Sequence, residues 1–154
     1  MKPVFANSAW VKAPEKLILR EGLWLQGEME ARYGVFIHPK VGPILIDTGY
    51  TSHSLSAPGR SALLRAYGHL LSPKLNLDAQ PTQFLQRVGL APKDISGIII
   101  THFHADHISG LAAFPDARLI ASKVGYSILQ QGNSFENIRH GIFPELLPLN
   151  FGAR

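Results

Sequence analysis

The segment from Thr101 to His107 reads Thr-His-Phe-His-Ala-Asp-His and holds three imidazoles and one carboxylate. Zinc binds histidine nitrogen, carboxylate oxygen and cysteine sulfur, and this chain has no cysteine. In an extended backbone, residues two apart point to one side, so His102 and His104 can reach one ion. Asp106 and His107 are adjacent and need a turn to face a common point. Four ligands are too many for one tetrahedral ion that also holds water, so the pattern predicts two neighbouring metal ions.

The alternative interpretation is a polar loop whose histidines are simply solvated. That interpretation is the better one for a single histidine, and we apply it to His38, His53 and His69, which stand alone in the sequence. Three histidines and an aspartate at this spacing, directly after an apolar run, would need other polar partners if they bound no metal. The pattern therefore favours a metal site.

The elements that must position this cluster begin with the apolar run Ile95–Ile100, which predicts a buried strand ending at the motif. Further short strands, bounded by glycine and proline, are predicted at Lys16–Arg20, Leu23–Leu25, Val35–Ile37, Pro43–Ile46 and Arg118–Ala121. Spacings of three and four predict helices at Ala57–Leu71, Asp78–Val88 and Ser122–Gln130, a short helix or turn at Ile108–Phe114, and a loop from Gln131 onward. Asp78 is the expected N-cap of the second helix, and Gly89 its terminator. Strands followed by alternating helix and strand predict an α/β layered domain.

Composition sets the class of protein. With 154 residues and 45% hydrophobic residues, the chain fits a single globular domain. The segment Met1–Pro14 lacks the apolar run of a signal peptide, and no stretch reaches the ~20 apolar residues of a membrane span. We therefore expect a soluble cytoplasmic protein without a membrane partner. The net charge of +4 comes from scattered basic residues rather than a patch, which disfavours nucleic acid as a partner.

The motif resembles a known family signature. His102-Phe103-His104-Ala105-Asp106-His107, preceded by an isoleucine-rich strand and followed by Ser109-Gly110, looks like the metal-binding signature of the metallo-β-lactamase superfamily. Pro43-Ile44-Leu45-Ile46-Asp47-Thr48-Gly49 resembles a second family feature, a strand that ends in Asp-Thr-Gly beside the site. The resemblance extends from about Lys16 to Ala121. It implies a four-layer αββα sandwich, of which 1–154 would be one incomplete domain: the first half, a mixed sheet with helices packed on it.

By that resemblance, His102 and His104 would bind a first zinc ion, and Asp106 and His107 a second. Asp47 would orient a ligand or its loop, although Asp-Thr-Gly also forms ordinary turns. The family takes a further histidine for each metal, and a bridging carboxylate, from its second half. Here His140 is the single histidine downstream of the motif, in a context unlike the family's, and we interpret it as a loop residue.

The resulting functional hypothesis is a zinc-dependent hydrolase, in which a metal-bound hydroxide attacks a small-molecule ester, lactone, thioester or amide. Asp106 is the residue expected to help orient the nucleophile or to move a proton, while remaining a ligand. Two alternatives stay open: a truncated or inactive fragment with weak metal binding, and a nuclease on the same fold. A missing C-terminal half, or a homodimer, would complete the site.

Overall fold

The structure is a computed structural model that describes residues 2–17, 21–52, 57, 59–132 and 141–154. Within these residues, six strands form one mixed sheet in the order β4-β1-β2-β3-β5-β6. The strands are β1 Val4–Pro14, β2 Gln26–His38, β3 Gly42–Ile46, β4 Lys74–Leu75, β5 Gly97–Ile100 and β6 Arg118–Ala121. The α-helices are α1 Ala62–Leu71, α2 Pro81–Arg87, α3 Ala105–Ile108 and α4 Lys123–Gln131. Strands β1, β2 and β3 pair antiparallel, whereas β3, β5 and β6 pair parallel. The chain thus has the mixed α/β architecture that the sequence predicts.

One face of the sheet carries the hydrophobic core. Val35, Leu45 and Ile98 are direct neighbours in the register of β2, β3 and β5, and each is at most 4% exposed. Paired residues of neighbouring strands point to the same face, so helix residues such as Leu64 and Ile108 complete one core with them. This burial anchors β3 and β5, whose carboxyl ends lead to the candidate metal ligands.

The opposite face carries a second apolar row. Phe5, Gly34, Ile46, Ile99 and Ile120 follow one another in register across β1, β2, β3, β5 and β6. The two ends of this row are open to solvent, since Phe5 is 56% and Ile120 53% exposed. Gly34 is required beneath the Phe5 ring, because a Cβ there would lie 2.7 Å from a ring carbon. An apolar sheet face with exposed members is suited to covering by another layer of structure.

Strand β1 was not predicted from the sequence. Its register against β2 shifts between Asn7 and Trp10, which is a β-bulge and brings the polar residue Ser8 into the core. Ser8 Oγ donates to the Ala31 carbonyl oxygen at 2.8 Å and accepts from the Tyr50 N–H at 2.7 Å. Ser8 interrupts the apolar pattern of β1, so the strand is not evident in the sequence. In the structure its hydroxyl forms hydrogen bonds with residues distant in sequence.

Several predicted boundaries need correction. The strand predicted at Leu23–Leu25 is wrong: these residues are irregular, Trp24 is 73% exposed, and β2 begins only at Gln26. Of Lys16–Arg20, the described part, as far as Leu17, lies in a 3-10 turn, and 18–20 lie outside the described residues.

The first two helix predictions, Ala57–Leu71 and Asp78–Val88, are correct in type but too long. Helix α1 begins at Ala62 because the Ser61 side chain caps it, accepting from the Leu64 N–H. Asp78 is not a helix cap but lies in the 3-10 turn Leu77–Ala79, and α2 begins at Pro81, whose missing N–H suits a first turn. In contrast, β3, β6 and α4 agree with their predictions within one residue. Among the described residues, the helices are too short or too polar to traverse a lipid bilayer.

Gly49 and Gly89 provide a matched test of core packing, since both have left-handed backbones, with φ of 69° and 77°. A Cβ on Gly49 would lie 2.6 Å from Ser8 Oγ, whereas a Cβ on Gly89 would meet nothing within 4 Å. Gly89→Ala should lower the free energy of unfolding by about 1–2 kcal/mol through backbone strain. Gly49→Ala should lower it by about 2–5 kcal/mol, because overpacking adds to the strain. Urea denaturation measures both, and equal losses would contradict the packing described for Gly49.

Candidate metal centre

Parallel pairing of β3 with β5 places the ends of both strands at one edge of the sheet. Asp47 follows β3 and Thr101 follows β5, and the Asp47 N–H donates to the Ile99 carbonyl oxygen at 2.8 Å. The sheet ladder therefore continues one residue beyond β3. Loop residues at the carboxyl ends of parallel strands are held on a rigid support, which is where functional side chains often lie.

The Asp47 carboxylate is buried, with the residue 3% exposed, and each of its oxygens has a partner. Oδ1 accepts from the Thr101 N–H at 2.8 Å, and Oδ2 accepts from the Thr101 hydroxyl at 2.7 Å. His107 Nδ1 also lies 2.7 Å from Oδ2, and since a carboxylate has no hydrogen to donate, this nitrogen carries the proton. The backbone of Asp47 is left-handed, with φ of 59°, a conformation that aspartate tolerates better than most residues. Asp47 thus fixes the orientation of the His107 ring.

The residues after Asp47 fasten the loop to the motif. The N–H and the hydroxyl of Thr48 both donate to the His107 carbonyl oxygen, at 2.9 and 2.8 Å. Gly110 donates to the Thr48 hydroxyl at 3.0 Å, and a Cβ on Gly110 would lie 2.8 Å from the Thr48 carbonyl oxygen. Ser109 Oγ donates to the Gly49 carbonyl oxygen at 2.9 Å. The Asp-Thr-Gly segment and the end of the histidine motif therefore form one hydrogen-bonded unit.

The four predicted ligands lie beside one another. The ring centroids of His102 and His104 are 4.4 Å apart, and those of His102 and His107 are 3.8 Å apart. His107 Nε2 lies 3.1 Å from an oxygen of Asp106. The turn that the sequence required between the two pairs is α3, which carries Asp106 and His107 after His104 has paired as a β-bridge with Ile142. The structure thus brings the predicted side chains together, with Asp47 beneath them.

These donors fit a zinc site in kind and in proximity, but they do not complete one. Within the parts of the chain that the structure describes, no three or more histidine and acidic side chains converge so that an ion could sit between them. His53 and His140 lie outside the described residues. His38 is engaged locally, accepting from the Lys40 N–H, and His69 is exposed on α1. The assignment of His102, His104, Asp106 and His107 as ligands therefore stays a prediction, as does the role of Asp47.

The side chains of this cluster are coupled charges. Burial alone would lower the pKa of His107, but its hydrogen bonds with Asp106 and Asp47 outweigh burial and raise that pKa to about 9. Burial alone would raise the pKa of Asp106, yet the contact with His107 lowers it. Burial, together with the neighbouring rings of His107 and His104, lowers the pKa of His102. At neutral pH, His107 is therefore a cation held between two carboxylates.

Sequence reasoning missed the threonines of this site. Thr101 donates to Asp47 through both its N–H and its hydroxyl, and Thr48 binds the motif carbonyl. Thr101 directly follows β5 and Thr48 is the second residue after β3, and a short polar residue close to a strand end was the available signal. A hydroxyl after a strand is common in ordinary turns. A threonine there indicates a functional site only when the ends of β3 and β5 are known to be neighbours.

Comparison with other proteins gives a consistent assignment of family. The family model described as the metallo-β-lactamase superfamily matches residues 33–137. An N-acyl homoserine lactonase from a Bacillus species is 33% identical over 105 residues, which are 68% of this chain and 41% of that protein. A probable metallo-hydrolase of Mycobacterium tuberculosis is 36% identical over 78 residues, covering 51% of this chain and 24% of that protein.

Solved structures show the same fold. A Bacillus thuringiensis lactonase variant, AiiA with N-decanoyl-L-homoserine bound at the active site, superposes with a TM-score of 0.68 at 20% identity, covering 89% of this chain and 54% of that one. AidC, a dizinc quorum-quenching lactonase, superposes with a TM-score of 0.55 at 19% identity, covering 85% and 45% of the two chains. This chain therefore spans about half the length of the proteins that it matches.

Asp47→Asn tests the cause of the raised His107 pKa, because asparagine keeps the shape and tolerates the left-handed backbone but removes the charge. In protein freed of metal by a chelator, we expect the pKa of His107 to fall from about 9 toward its ordinary value of 6.5. Histidine resonances followed by NMR during a pH titration measure it. Asp78→Asn, in the turn Leu77–Ala79, is the control and should leave the titration unchanged.

The same change should alter how stability depends on pH. A folded-state pKa above 6.5 means that His107 adds stability that is fully present below pH 6.5 and is lost as the pH rises through about 9. Metal-free wild type should therefore lose melting temperature across this window, and Asp47→Asn should lose less. Parallel melting curves of the two proteins would argue against a charged His107.

Proposed function

This chain belongs to the metallo-β-lactamase superfamily, and from that premise we propose that the protein is a zinc-dependent hydrolase that opens lactones. The observation that carries the proposal is the unit formed by Asp47, Thr101 and His107, which fixes one imidazole of a four-ligand motif at the edge of a rigid sheet. A ring nitrogen that donates to a carboxylate leaves the other nitrogen oriented for a metal, an arrangement typical of metal-binding histidines.

The motif would hold two ions, with His102 and His104 on one and Asp106 and His107 on the other. When bound, such ions lower the pKa of a coordinated water toward about 7 and polarise the substrate carbonyl. Two protein ligands for each ion are fewer than the three usual for catalytic zinc, so the remaining donors must lie beyond these four residues. A further half of the domain would be their source in a protein as long as its relatives, and a second copy of this chain is the alternative.

The protein's own residues would supply orientation and proton handling. Asp47 accepts from Nδ1 of His107, and its carboxylate is held by the N–H and the hydroxyl of Thr101. The His107 ring therefore cannot turn without breaking a partly buried hydrogen bond. Asp106 has its pKa lowered and stays ionised at neutral pH, which keeps it available as a ligand and as an acceptor for a proton of the attacking water.

The choice of a lactone rests on the relatives. A Bacillus protein that matches this chain carries the name N-acyl homoserine lactonase, and the B. thuringiensis structure holds N-decanoyl-L-homoserine, the ring-opened form of such a lactone. An ester, thioester or amide would require the same chemistry at its carbonyl. The protein's location in the cytoplasm belongs to the proposal, in keeping with the absence of cysteine.

Two other functions are less well supported. A nuclease would need basic side chains gathered beside the site, whereas the basic residues that produce the net charge of +4 are scattered along the chain. An inactive fragment with weak metal binding is favoured by one observation, the lack of a converging ligand set within the described residues. The amount of zinc retained by the protein distinguishes it from an active enzyme.

His104→Ala tests the metal site. His104 is exposed, so its loss should leave the core folded while removing half of the ligands proposed for one ion. We expect bound zinc, measured by atomic emission after dialysis, to fall by at least one ion per chain. His69→Ala, on an exposed helix position outside the motif, is the matched control and should retain the wild-type zinc content. Unchanged zinc in His104→Ala would refute the proposed ligand set.

Hydrolysis of model compounds tests the reaction. A zinc-loaded, active protein should release acid from an N-acyl homoserine lactone faster than from a simple ester, and should leave bis(4-nitrophenyl) phosphate essentially intact. A pH-stat assay with a chelator-treated control measures all three rates. Preference for the phosphodiester would favour the nuclease, and zinc near zero with no hydrolysis of any substrate would favour the inactive fragment.

A further inference from the structure

Tyr50, the residue that follows Asp-Thr-Gly, has a buried hydroxyl that the proposed metal site does not use. The residue is 2% exposed, and within the described part of the chain its hydroxyl has no hydrogen-bond partner. Tyr33 is equally buried, but its hydroxyl donates to the Ala79 carbonyl oxygen at 2.9 Å. Burying a phenol without a partner is unfavourable, and phenylalanine would fill the same space without that cost. A role for the hydroxyl in the site would explain why tyrosine, rather than phenylalanine, occupies position 50.

The backbone on both sides of Tyr50 is fastened to the helix that carries the motif. Ser109 Oγ donates to the Gly49 carbonyl oxygen at 2.9 Å, and the Thr51 N–H donates to Ser109 Oγ at 3.0 Å. Ser109 caps α3 and lies three residues after Asp106, so the two side chains are neighbours on the helix surface. Tyr50 is thus held against the helix on which Asp106 is presented.

A second phenol approaches the same helix from α1. The hydroxyl of Tyr67 lies against Gly141, where a Cβ would be 2.5 Å from it, and the Gly141 carbonyl oxygen accepts from the Ala105 N–H. Burial raises the pKa of Tyr50, and the charges of Tyr67 and Asp106 act in the same direction. Burial, followed by the charge of Asp106, raises the pKa of Tyr67 to about 12. Both phenols therefore remain O–H donors in the electrostatic field of the Asp106 carboxylate.

An oxygen of Asp106 lies 3.1 Å from His107 Nε2. The other ring nitrogen of His107 already donates to Asp47. A nitrogen that binds a cation has no proton to donate, so Asp106 loses its His107 partner if Nε2 becomes a ligand. A carboxylate that is partly buried then needs another donor for the oxygen that faces away from the ion.

We propose that the Tyr50 hydroxyl positions Asp106 in the metal-loaded site by donating a hydrogen bond to its carboxylate, directly or through one water molecule. This inference rests on the proposed metal site and assigns to it a residue outside the histidine motif. Tyr50 touches neither substrate nor metal in this role. It acts through Asp106 and keeps that ligand in one orientation.

The test compares Tyr50→Phe with Tyr33→Phe in the 154-residue chain, each removing one buried hydroxyl. Tyr50→Phe should weaken zinc binding by about 10–100-fold in a competition titration with a chromophoric chelator. It should also shift the visible absorption of the cobalt-substituted protein, and its melting temperature without metal should equal or exceed that of wild type. Tyr33→Phe should bind zinc as wild type does. It should melt at a lower temperature because the hydrogen bond from the Tyr33 hydroxyl to the Ala79 carbonyl oxygen is lost.

A double variant tests whether Tyr50 affects zinc binding through Asp106. In Asp106→Asn, which binds zinc less tightly, adding Tyr50→Phe should produce no further loss of affinity, since the partner carboxylate is absent. Wild-type affinity and an unchanged cobalt spectrum in Tyr50→Phe would overturn the inference while leaving the His104→Ala result intact. A metal-free melting temperature lowered as in Tyr33→Phe would also overturn it, by revealing a structural partner. A wild-type protein that binds no zinc would refute the metal site and this inference together.

Discussion

The buried carboxylate of Asp47 is the interaction on which the candidate site depends. A charged group in this position is costly unless donors surround it, and Thr101 and His107 supply those donors. The same three residues join the end of β3 to the end of β5 and to α3. Asp47 therefore fixes the orientation of the His107 imidazole and, after Asp106, contributes to its raised pKa. Thr48 and Ser109 extend this network, but neither could replace the charge at its centre.

The fold explains how the candidate site is positioned. One sheet face packs against the helices and forms a core, and this core supports the sheet edge at which the candidate ligands lie. The other face carries the apolar row from Phe5 to Ile120, with its ends exposed. The chain spans about half the length of its relatives, and four ligands serve two proposed ions. Within the described residues, a partly exposed sheet face therefore occurs together with a candidate site that lacks a converging ligand set.

Much of this could be predicted from sequence where a pattern is local. The apolar runs of β3 and β6 are dense enough to define strands. The spacing of His102 and His104 predicts that both imidazoles point to one side, whereas Asp106 and His107 join them only through the turn formed by α3. Strand β1 was missed because the partners that satisfy Ser8 lie 23 and 42 residues away. Leu23–Leu25 was wrongly predicted as a strand because an apolar run can remain exposed. The roles of the threonines around Asp47 depend on tertiary contacts that no local pattern encodes. The same holds for the Tyr50 hydroxyl, which has no hydrogen-bond partner within the described residues.

Parallel pairing of β3 with β5 has a consequence for how the protein folds. The register joins Ile46 to Ile99, so a crossover that includes α1 and α2 must close before these strands meet. Contacts so distant in sequence form slowly, because closing the loop costs conformational entropy before the contacts between the strands can offset that cost. Until then Asp47 stays hydrated and the imidazoles are not brought together on one support. The candidate ligands therefore come together late in folding, only after the sheet has assembled.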